Sequence, residues 1–513
     1  MKVNLLFREG ESYTTDDIPW NNKDLERDLD LEILFDTMAA GDPYIRDVCR
    51  KTILNSLKDQ ETILWRQDVL RDAINNQNLV REIYTTIVET VNQAKKQLFW
   101  IDRSGDPEFV IHESINLLKL YFKAIERVRE MGRGVLPLIR SQGFRQLFDM
   151  LLNEFDQEYV GMISEHLRNL GFPRGIPVRG GLGMGNSLTG YTLIVPETRP
   201  DGIVKRIANL RDPHYTYVVP ERDESGARAL GDMRARSLRE TADIVSESAE
   251  NVLSFISRLR EAIAFLLGCI NLWNVLKSIG VPVSFPVPRS DAESGIHYED
   301  LYSVTLCLRI HRTPVENSLN VQNDSLIFIT GANRGGKSTL LRAMGQAQMM
   351  MQAGMFVAAQ SFSTSIASGI FTHFKREEDS GMTIGKLDEE LKRMSEIIEH
   401  VVPGSRIFFN ESFSSTNVRE GSDIAIQVIN ALLAKRMKII FVTHFNELAE
   451  AYVGSAQRPT FLRAERLQDG TRTFKVLQAE PIPTSFGYDI FLRVFGKTDE
   501  FKGINQLGNP GKP

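Results

Sequence analysis

Cysteine is scarce in this 513-residue chain: Cys49, Cys269 and Cys307 are the only three, and no two are spaced as a C-x-x-C pair. An odd number of scattered thiols in apolar surroundings excludes a disulfide framework. It fits a reducing, cytoplasmic setting in which cysteines serve as small core residues. An excess of either charge is also missing. With 61 basic and 66 acidic residues the formal net charge is -5, which argues against a globally basic nucleic-acid binder while leaving room for a local basic face. Long apolar runs are absent too. The longest, Phe265 to Leu276, contains Asn271 and Asn274 and is too short to span a bilayer. Met1 to Gly10 carries charges where a signal peptide has its apolar core, so no export signal is expected. No repeat of fixed period points to a solenoid.

The chain is long for one core, so two or three domains are expected. Over residues 1–170 apolar positions recur three and four apart, as in Ile53, Leu57, Ile63, Leu64, Val69, Leu70 and Ile74, which predicts helix after helix. Gly41-Asp42-Pro43 and Gly105-Asp106-Pro107 mark short connections. Residues 171–228 change texture: helix-breaking glycines and prolines, then β-rich runs at Tyr191 to Pro196 and Tyr215 to Val219, predict a small β-containing, clamp-like insertion. Gly181-Leu-Gly-Met-Gly185 precedes a strand instead of following one, so it reads as a loop and not as a dinucleotide fingerprint. Residues 229–289 bring back a long helix, with Val252, Ile256, Leu259, Ile263, Leu266, Ile270 and Trp273 on one face, and a proline-rich linker. Arg228, Arg234, Arg236 and Arg239 lie near its start, interleaved with acids such as Asp223, Glu224 and Asp232. A solvated mixed-charge face and a phosphate-binding surface both fit that pattern. Residues 290–497 alternate strands with helices: strands at Val304 to Ile310, Leu326 to Thr330, Arg406 to Phe409 and Lys438 to Thr443, and helices after Gly336 and Gly421. That alternation predicts a largely parallel sheet with covering helices. Residues 498–513 read as a flexible tail.

The chain is organised around Leu326 to Leu341, an apolar strand, a glycine-rich turn and a helix start. The turn carries G-x-x-x-x-G-K-S from Gly331 to Ser338. Backbone N–H groups of Gly331, Ala332, Asn333, Arg334, Gly335, Gly336, Lys337, Ser338 and Thr339 can wrap a polyphosphate, Lys337 can reach its outer oxygens, and Ser338 can hold Mg²⁺. A second strand, Arg406 to Phe409, ends in Asn410-Glu411. In ATP-hydrolysing proteins with such a turn, this strand is expected beside the turn's own strand, its first acidic residue helps to hold Mg²⁺, and a following Glu polarises water. Asn410 stands where Asp is usual, so weaker metal binding or slower turnover is expected, with Glu411 as the base. A third strand ends in His444, placed to sense a terminal phosphate.

Thr330-Gly-Ala-Asn-Arg-Gly-Gly-Lys-Ser-Thr339 resembles the Walker A segment of the MutS DNA mismatch-repair ATPases, typically Thr-Gly-Pro-Asn-Met-Gly-Gly-Lys-Ser-Thr. Gln352 to Ala359, Asn410-Glu411 with Ser414 to Asn417, Val442 to Leu448 and Thr484 to Tyr488 look like that family's later motifs in order, and Arg66 to Leu70 with the long return helix is similar to its core and lever domains. The resemblance implies a multidomain protein: an all-α core and lever region with a small β-containing insertion, then an α/β P-loop domain of the ABC type. It implies an ATPase using ATP and Mg²⁺, with Glu411 and His444 catalytic, Ser338 and Asn410 on the metal, and Asn333 on phosphate. It further implies a homodimer with nucleotide sites near the subunit interface, and duplex or branched DNA as partner. Ser380 to Gly385 would face the partner's γ-phosphate, although Gly385-Lys386 stands where the family has its Ser-Thr signature. Ser415, Thr416 and Asn417 either line the interface or form a polar turn. The family's Phe-x-Glu mismatch wedge and a C-terminal nuclease-like module are not expected here, which would set the chain apart from the nuclease-bearing branch. Two functions stay open: a nucleotide-gated DNA clamp, and a slowly hydrolysing ATP switch acting on a protein or ribonucleoprotein. A P-loop kinase would leave the helical region and His444 unexplained.

Overall fold

In the computed structural model the described residues are 3–8, 18–101, 105–171, 178–182, 188–193, 224–290, 293, 295–376, 385–467 and 471–482. The chain divides into two units that interleave along the sequence. One comprises Met1–Val3, Asn78–Ile139 and Phe144–Ile263, the other Asn4–Gln77, Arg140–Gly143 and Ala264–Pro513. This division differs from a single helical region ending at 170.

The helical unit is built from most of α5 (Gln77–Ile101), α6 (Pro107–Val135), α7 (Gln142–Glu154), α8 (Gln157–Leu170) and the first part of α9 (Glu224–Ile279). The Asp106-Pro107 signal is an N-cap: Asp106 Oδ1 accepts from the Glu108 N–H at 3.1 Å, and proline occupies the first helical position, where no donor is needed. Asp156 caps α8 in the same way. Ile115, Ile125 and Val128 of α6 are buried, as are Phe144, Phe148 and Leu151 of α7 and Ile256 and Leu259 of α9. At Gly132 a Cβ would lie 2.2 Å from Phe148, so only glycine permits that approach of α6 and α7. Strands β1 (Val178–Leu182) and β2 (Leu188–Leu193) pair antiparallel, which puts Gly181 and Leu182 at the end of a strand, while residues 183–185 of the piece read as a loop lie outside the described residues. The run expected at Tyr215 to Val219 lies outside the described residues.

In the second unit, α1 (Asn22–Asp28), α2 (Glu32–Ala39), α3 (Pro43–Leu54) and α4 (Gln60–Asn75) precede the sheets in the chain and pack with them. Asp42 caps α3 through the Tyr44 N–H at 2.8 Å, and Asp59 caps α4. Polar ties explain the grouping. Arg66 of α4 donates to the carbonyls of Leu6 and Ala353, Gln67 to that of Pro286, and the Leu57 N–H to that of Gln352. Gly231–Ile279 of α9 is long and apolar enough by composition to cross a membrane. Its surroundings say otherwise: Leu266, Cys269, Ile270 and Leu272 are buried, a Cβ on Gly268 would meet Cys49 Sγ at 2.3 Å, and Asn271 Nδ2 donates to the Met38 carbonyl.

Strands β3 (Val287–Arg289), β4 (Ile296–Leu301), β5 (Asn317–Val321) and β7 (Ser361–Ser365) form a four-stranded mixed sheet in the order β3-β7-β4-β5. The larger sheet has six strands: β6 (Leu326–Thr330), β8 (Ile370–Phe374), β9 (Arg406–Asn410), β10 (Lys438–Val442), β11 (Thr460–Arg466) and β12 (Arg472–Gln478), ordered β12-β11-β6-β10-β9-β8. Every pairing in it is parallel except β11 with β12. Two expectations are corrected. Val304–Ile310 is not a strand but a helix, α10, because Ser303 Oγ caps the Leu306 N–H and Val304, Thr305, Cys307 and Leu308 are buried at helical spacing. The strand bearing Asn410 is not beside β6 but one strand away, with β10 between them. The remaining helices are α11 (Lys337–Gln352), α12 (Lys386–His400), α13 (Val418–Ala434) and the short α14 (Asn446–Glu450).

At the N-terminal edge of the larger sheet lies a buried ionic cluster. Arg406, at the start of β9, donates to Asp324, to Thr364 and Ser365 of β7, and to Gln348 of α11. Asp324 also accepts from the Gly295 N–H and faces Lys438 Nζ at 3.4 Å. Both charges of the Arg406–Asp324 pair are withdrawn from water, so its geometry must be well satisfied to offset desolvation.

Candidate functional site

The C-terminal ends of β6, β10 and β9 lie side by side, and each carries polar residues. After β6, whose five residues are all buried, the backbone turns through Gly331 (φ 105°), Arg334 (φ 61°) and Gly336 (φ 94°) into α11. Glycine is required at 331 and 336 for these left-handed conformations. At Gly335 the need is space: a Cβ would meet Ala464 Cβ at 2.8 Å and the Ala332 carbonyl at 2.9 Å. The turn is thus pressed against β11. Lys337 opens α11 and folds back over the turn, its Nζ donating to the Gly331 carbonyl at 2.8 Å and the Ala332 carbonyl at 3.1 Å, with Asn333 Oδ1 at 3.5 Å. Burial pushes its pKa down, the Glu411 carboxylate works against that shift, and the Arg472 cation adds to it. The first amides of a helix have no partner within it, so the start of α11 offers N–H groups to an anion.

At the end of β9, Asn410 Oδ1 accepts a hydrogen bond from Ser338 Oγ at 2.8 Å. The fold therefore joins these two residues across the intervening strand. Glu411 takes a left-handed conformation (φ 53°) unusual for a non-glycine, held by its N–H donating to the Val442 carbonyl of β10 at 2.9 Å. Beyond β10, His444 Nδ1 lies 3.9 Å from Glu411 Oε2, and both side chains are about one-third exposed, at 32 % each. Burial lowers the His444 pKa, Glu411 opposes this, and Lys375 and Lys337 reinforce it. Lys337, Ser338, Asn410, Glu411 and His444 are thereby drawn into one constellation. Thr339 faces a neighbouring cleft, while Asn333 and Arg334 are exposed on the turn.

Sequence reasoning missed three contributors. Ala464 of β11 and Phe474 of β12 wall the turn: the Phe474 carbonyl would lie 3.1 Å from a Cβ on Gly336. The third is a cleft of about 500 Å³ beside the turn, lined by Ile310, Pro314, Val315, Thr339, Leu340 and Phe474, among others. The alternating pattern of Thr460 to Arg466 was the available signal for β11, whereas nothing local marks Phe474 as a wall.

Ser415, Thr416 and Asn417 form a polar turn. Ser415 donates to Glu390, and Asn417 Oδ1 caps α13 through the Glu420 N–H at 2.9 Å while Thr416 bonds the Glu420 carboxylate. Gly385 precedes α12 without a side-chain cap. Residues 380–384, and Thr484 to Tyr488, lie outside the described residues.

With this geometry in view, known proteins supply the context. Residues 58–279 match the family model of the MutS2 N-terminal domain, and residues 327–493 match that of MutS domain V. The chain belongs to the MutS family. Among curated relatives it is similar to proteins named Endonuclease MutS2. The Alkaliphilus metalliredigens relative is 22% identical over 489 residues, covering 91% of this chain and 54% of the relative. The Ligilactobacillus salivarius relative is 24% identical over 418 residues, covering 81% and 47%. The Streptococcus equi subsp. zooepidemicus relative is 28% identical over 236 residues, covering 45% and 29%. The chain spans about half the length, or less, of these relatives. The N-terminal match is to the MutS2 model, and these relatives carry the endonuclease name.

Proposed function

We propose that the chain is a nucleotide-driven MutS-type switch: a P-loop ATPase, working as a homodimer, that couples ATP binding and hydrolysis to movement of helical levers and a clamp around duplex or branched DNA. The convergence of Lys337, Ser338, Asn410, Glu411 and His444 on three neighbouring strand ends carries this reading. In it, the Gly331-to-Thr339 backbone and the start of α11 wrap the phosphates, Lys337 leaves its carbonyl partners for the β/γ-phosphate oxygens, and the cleft beside Phe474 takes the base. Glu411 orients a water and takes its proton as the water oxygen bonds to the terminal phosphorus. The bridging P–O bond breaks, and its electron pair leaves on ADP. His444, neutral at pH 7, donates a ring N–H to the terminal phosphate.

Mg²⁺ fits this site in position more than in charge. Ser338 Oγ and Asn410 Oδ1, joined by a hydrogen bond of 2.8 Å, are the oxygens that would hold the ion. Both oxygens are neutral, and among the described residues no group of three or more His, Cys, Asp or Glu is placed to hold a metal. When bound, Mg²⁺ would neutralise phosphate charge from Ser338 and Asn410.

The neutral Asn410 also favours a second reading, a slowly hydrolysing switch that engages a protein or ribonucleoprotein. A panel of duplex and branched DNAs, titrated at low salt with and without ATP, separates the two. Nucleotide-dependent binding that weakens steeply with salt supports the DNA clamp, and no binding under any condition removes it.

A further inference from the structure

We infer that Asn410 lets this chain hold a nucleoside di- or triphosphate without a divalent cation. The inference rests on the nucleotide-binding reading above. A carboxylate at position 410, next to that of Glu411, would place a second negative charge beside the polyphosphate, which a divalent cation would have to offset. An amide needs no such offset. Asn410 uses its carbonyl end to accept from Ser338 Oγ at 2.8 Å, and its other end is an NH₂ group, a donor that a phosphate oxygen can accept. Lys337 and Lys375 both act electrostatically on His444 at this end of the sheet. Lys337 is anchored over the turn by the carbonyls of Gly331 and Ala332. The Lys375 N–H donates to the Asn410 carbonyl at 2.9 Å, which sets this lysine at the end of β8 beside the end of β9. Arg334 stands at the apex of the turn, exposed and in a left-handed conformation, where the MutS pattern has Met. Glu411 keeps a carboxylate at this end of the sheet, 3.9 Å from His444. A site poorer in anions and richer in cations leaves the divalent ion little to neutralise on binding.

The experiment is calorimetric titration of the full chain with ADP and with a non-hydrolysable ATP analogue, once with excess Mg²⁺ and once with EDTA. The native chain should lose less than about threefold in affinity when Mg²⁺ is removed, whereas Asn410→Asp should lose more than about tenfold between its own Mg²⁺ and EDTA titrations. A loss above threefold in the native chain overturns the inference, and that arm needs no variant to fold. A folded Asn410→Asp with no greater Mg²⁺ dependence than the native chain overturns it as well. Absence of nucleotide binding in every arm instead defeats the reading on which the inference rests.

Discussion

The ends of β6 and β9 lie one strand apart in the same sheet, yet they are built in opposite ways. After β6 the geometry is made by what is left out: glycines at 331, 335 and 336 let the backbone turn left-handed and lie against Ala464 and Phe474. After β9 it is made by insistence. Glu411 (φ 53°) and Phe413 (φ 62°) adopt left-handed conformations with full side chains, held by the Val442 carbonyl and by burial of the Phe413 ring. Strain of that kind costs about 1–3 kcal/mol per residue and persists only where the surroundings enforce it. On the proposed reading, the first end holds the phosphates and the second aims one carboxylate.

The largest effect should come from the second end. Glu411→Gln should lower ATP hydrolysis by about 10²- to 10⁴-fold with nucleotide affinity almost unchanged, because the shape stays and only proton uptake is lost. Hydrolysis at the native rate would remove Glu411 from the chemistry. At the first end the reverse is expected. Gly335→Ala forces a Cβ onto Ala464 and the Ala332 carbonyl, and should weaken nucleotide binding by about tenfold, an overpacking cost of about 1–3 kcal/mol. Unchanged affinity in titration calorimetry would mean that the turn is not held tight. Phe474→Ala, which opens the cleft wall, should cost about fivefold in affinity, near the 1 kcal/mol scale of an aromatic contact, and equal affinities would place the base elsewhere. The smallest effect concerns pH. Since burial lowers the His444 pKa, the ring takes up its proton at lower pH than a free histidine does, and ATP hydrolysis should begin to fall only below about pH 6.5. Folding stability tied to this ring should likewise be full above that pH and decline as pH falls toward the lowered value, because the unfolded chain takes up the proton first. A hydrolysis profile that already drops between pH 8 and 7 would contradict the neutral imidazole.

Much of this was legible in sequence because the signals are local. Asp42-Pro43 and Asp106-Pro107 read as turns and proved to be helix caps, since the same side-chain oxygen that closes a turn serves the first amides of a helix. The strands Leu326–Thr330, Arg406–Asn410 and Lys438–Val442 announced themselves as apolar runs ending in polar residues. Lateral order did not. Nothing within β9 says that β10 will lie between it and β6, because a fully buried parallel strand can accept either neighbour. Val304–Ile310 failed for another reason: seven residues rich in β-branched and aliphatic side chains fit either period, and the decision came from Ser303. The grouping of residues 4–77 with the sheets depends on Arg66, Gln67 and Leu57 meeting carbonyls more than 200 residues away in sequence, a pairing that no window can contain.

The Arg406 cluster has a consequence for how the sheet breathes. One guanidinium fastens the beginning of β9 to Asp324, to β7 and to Gln348 of α11, while Asp324 also faces Lys438 at the start of β10. The edge opposite the strained residues is therefore riveted. Amide protons near Arg406, Asp324 and Gln348 should be among the slowest in the second unit to exchange with deuterium, and those of Glu411 to Asn417 among the fastest, so that opening starts where the nucleotide would sit and dies out along the strands.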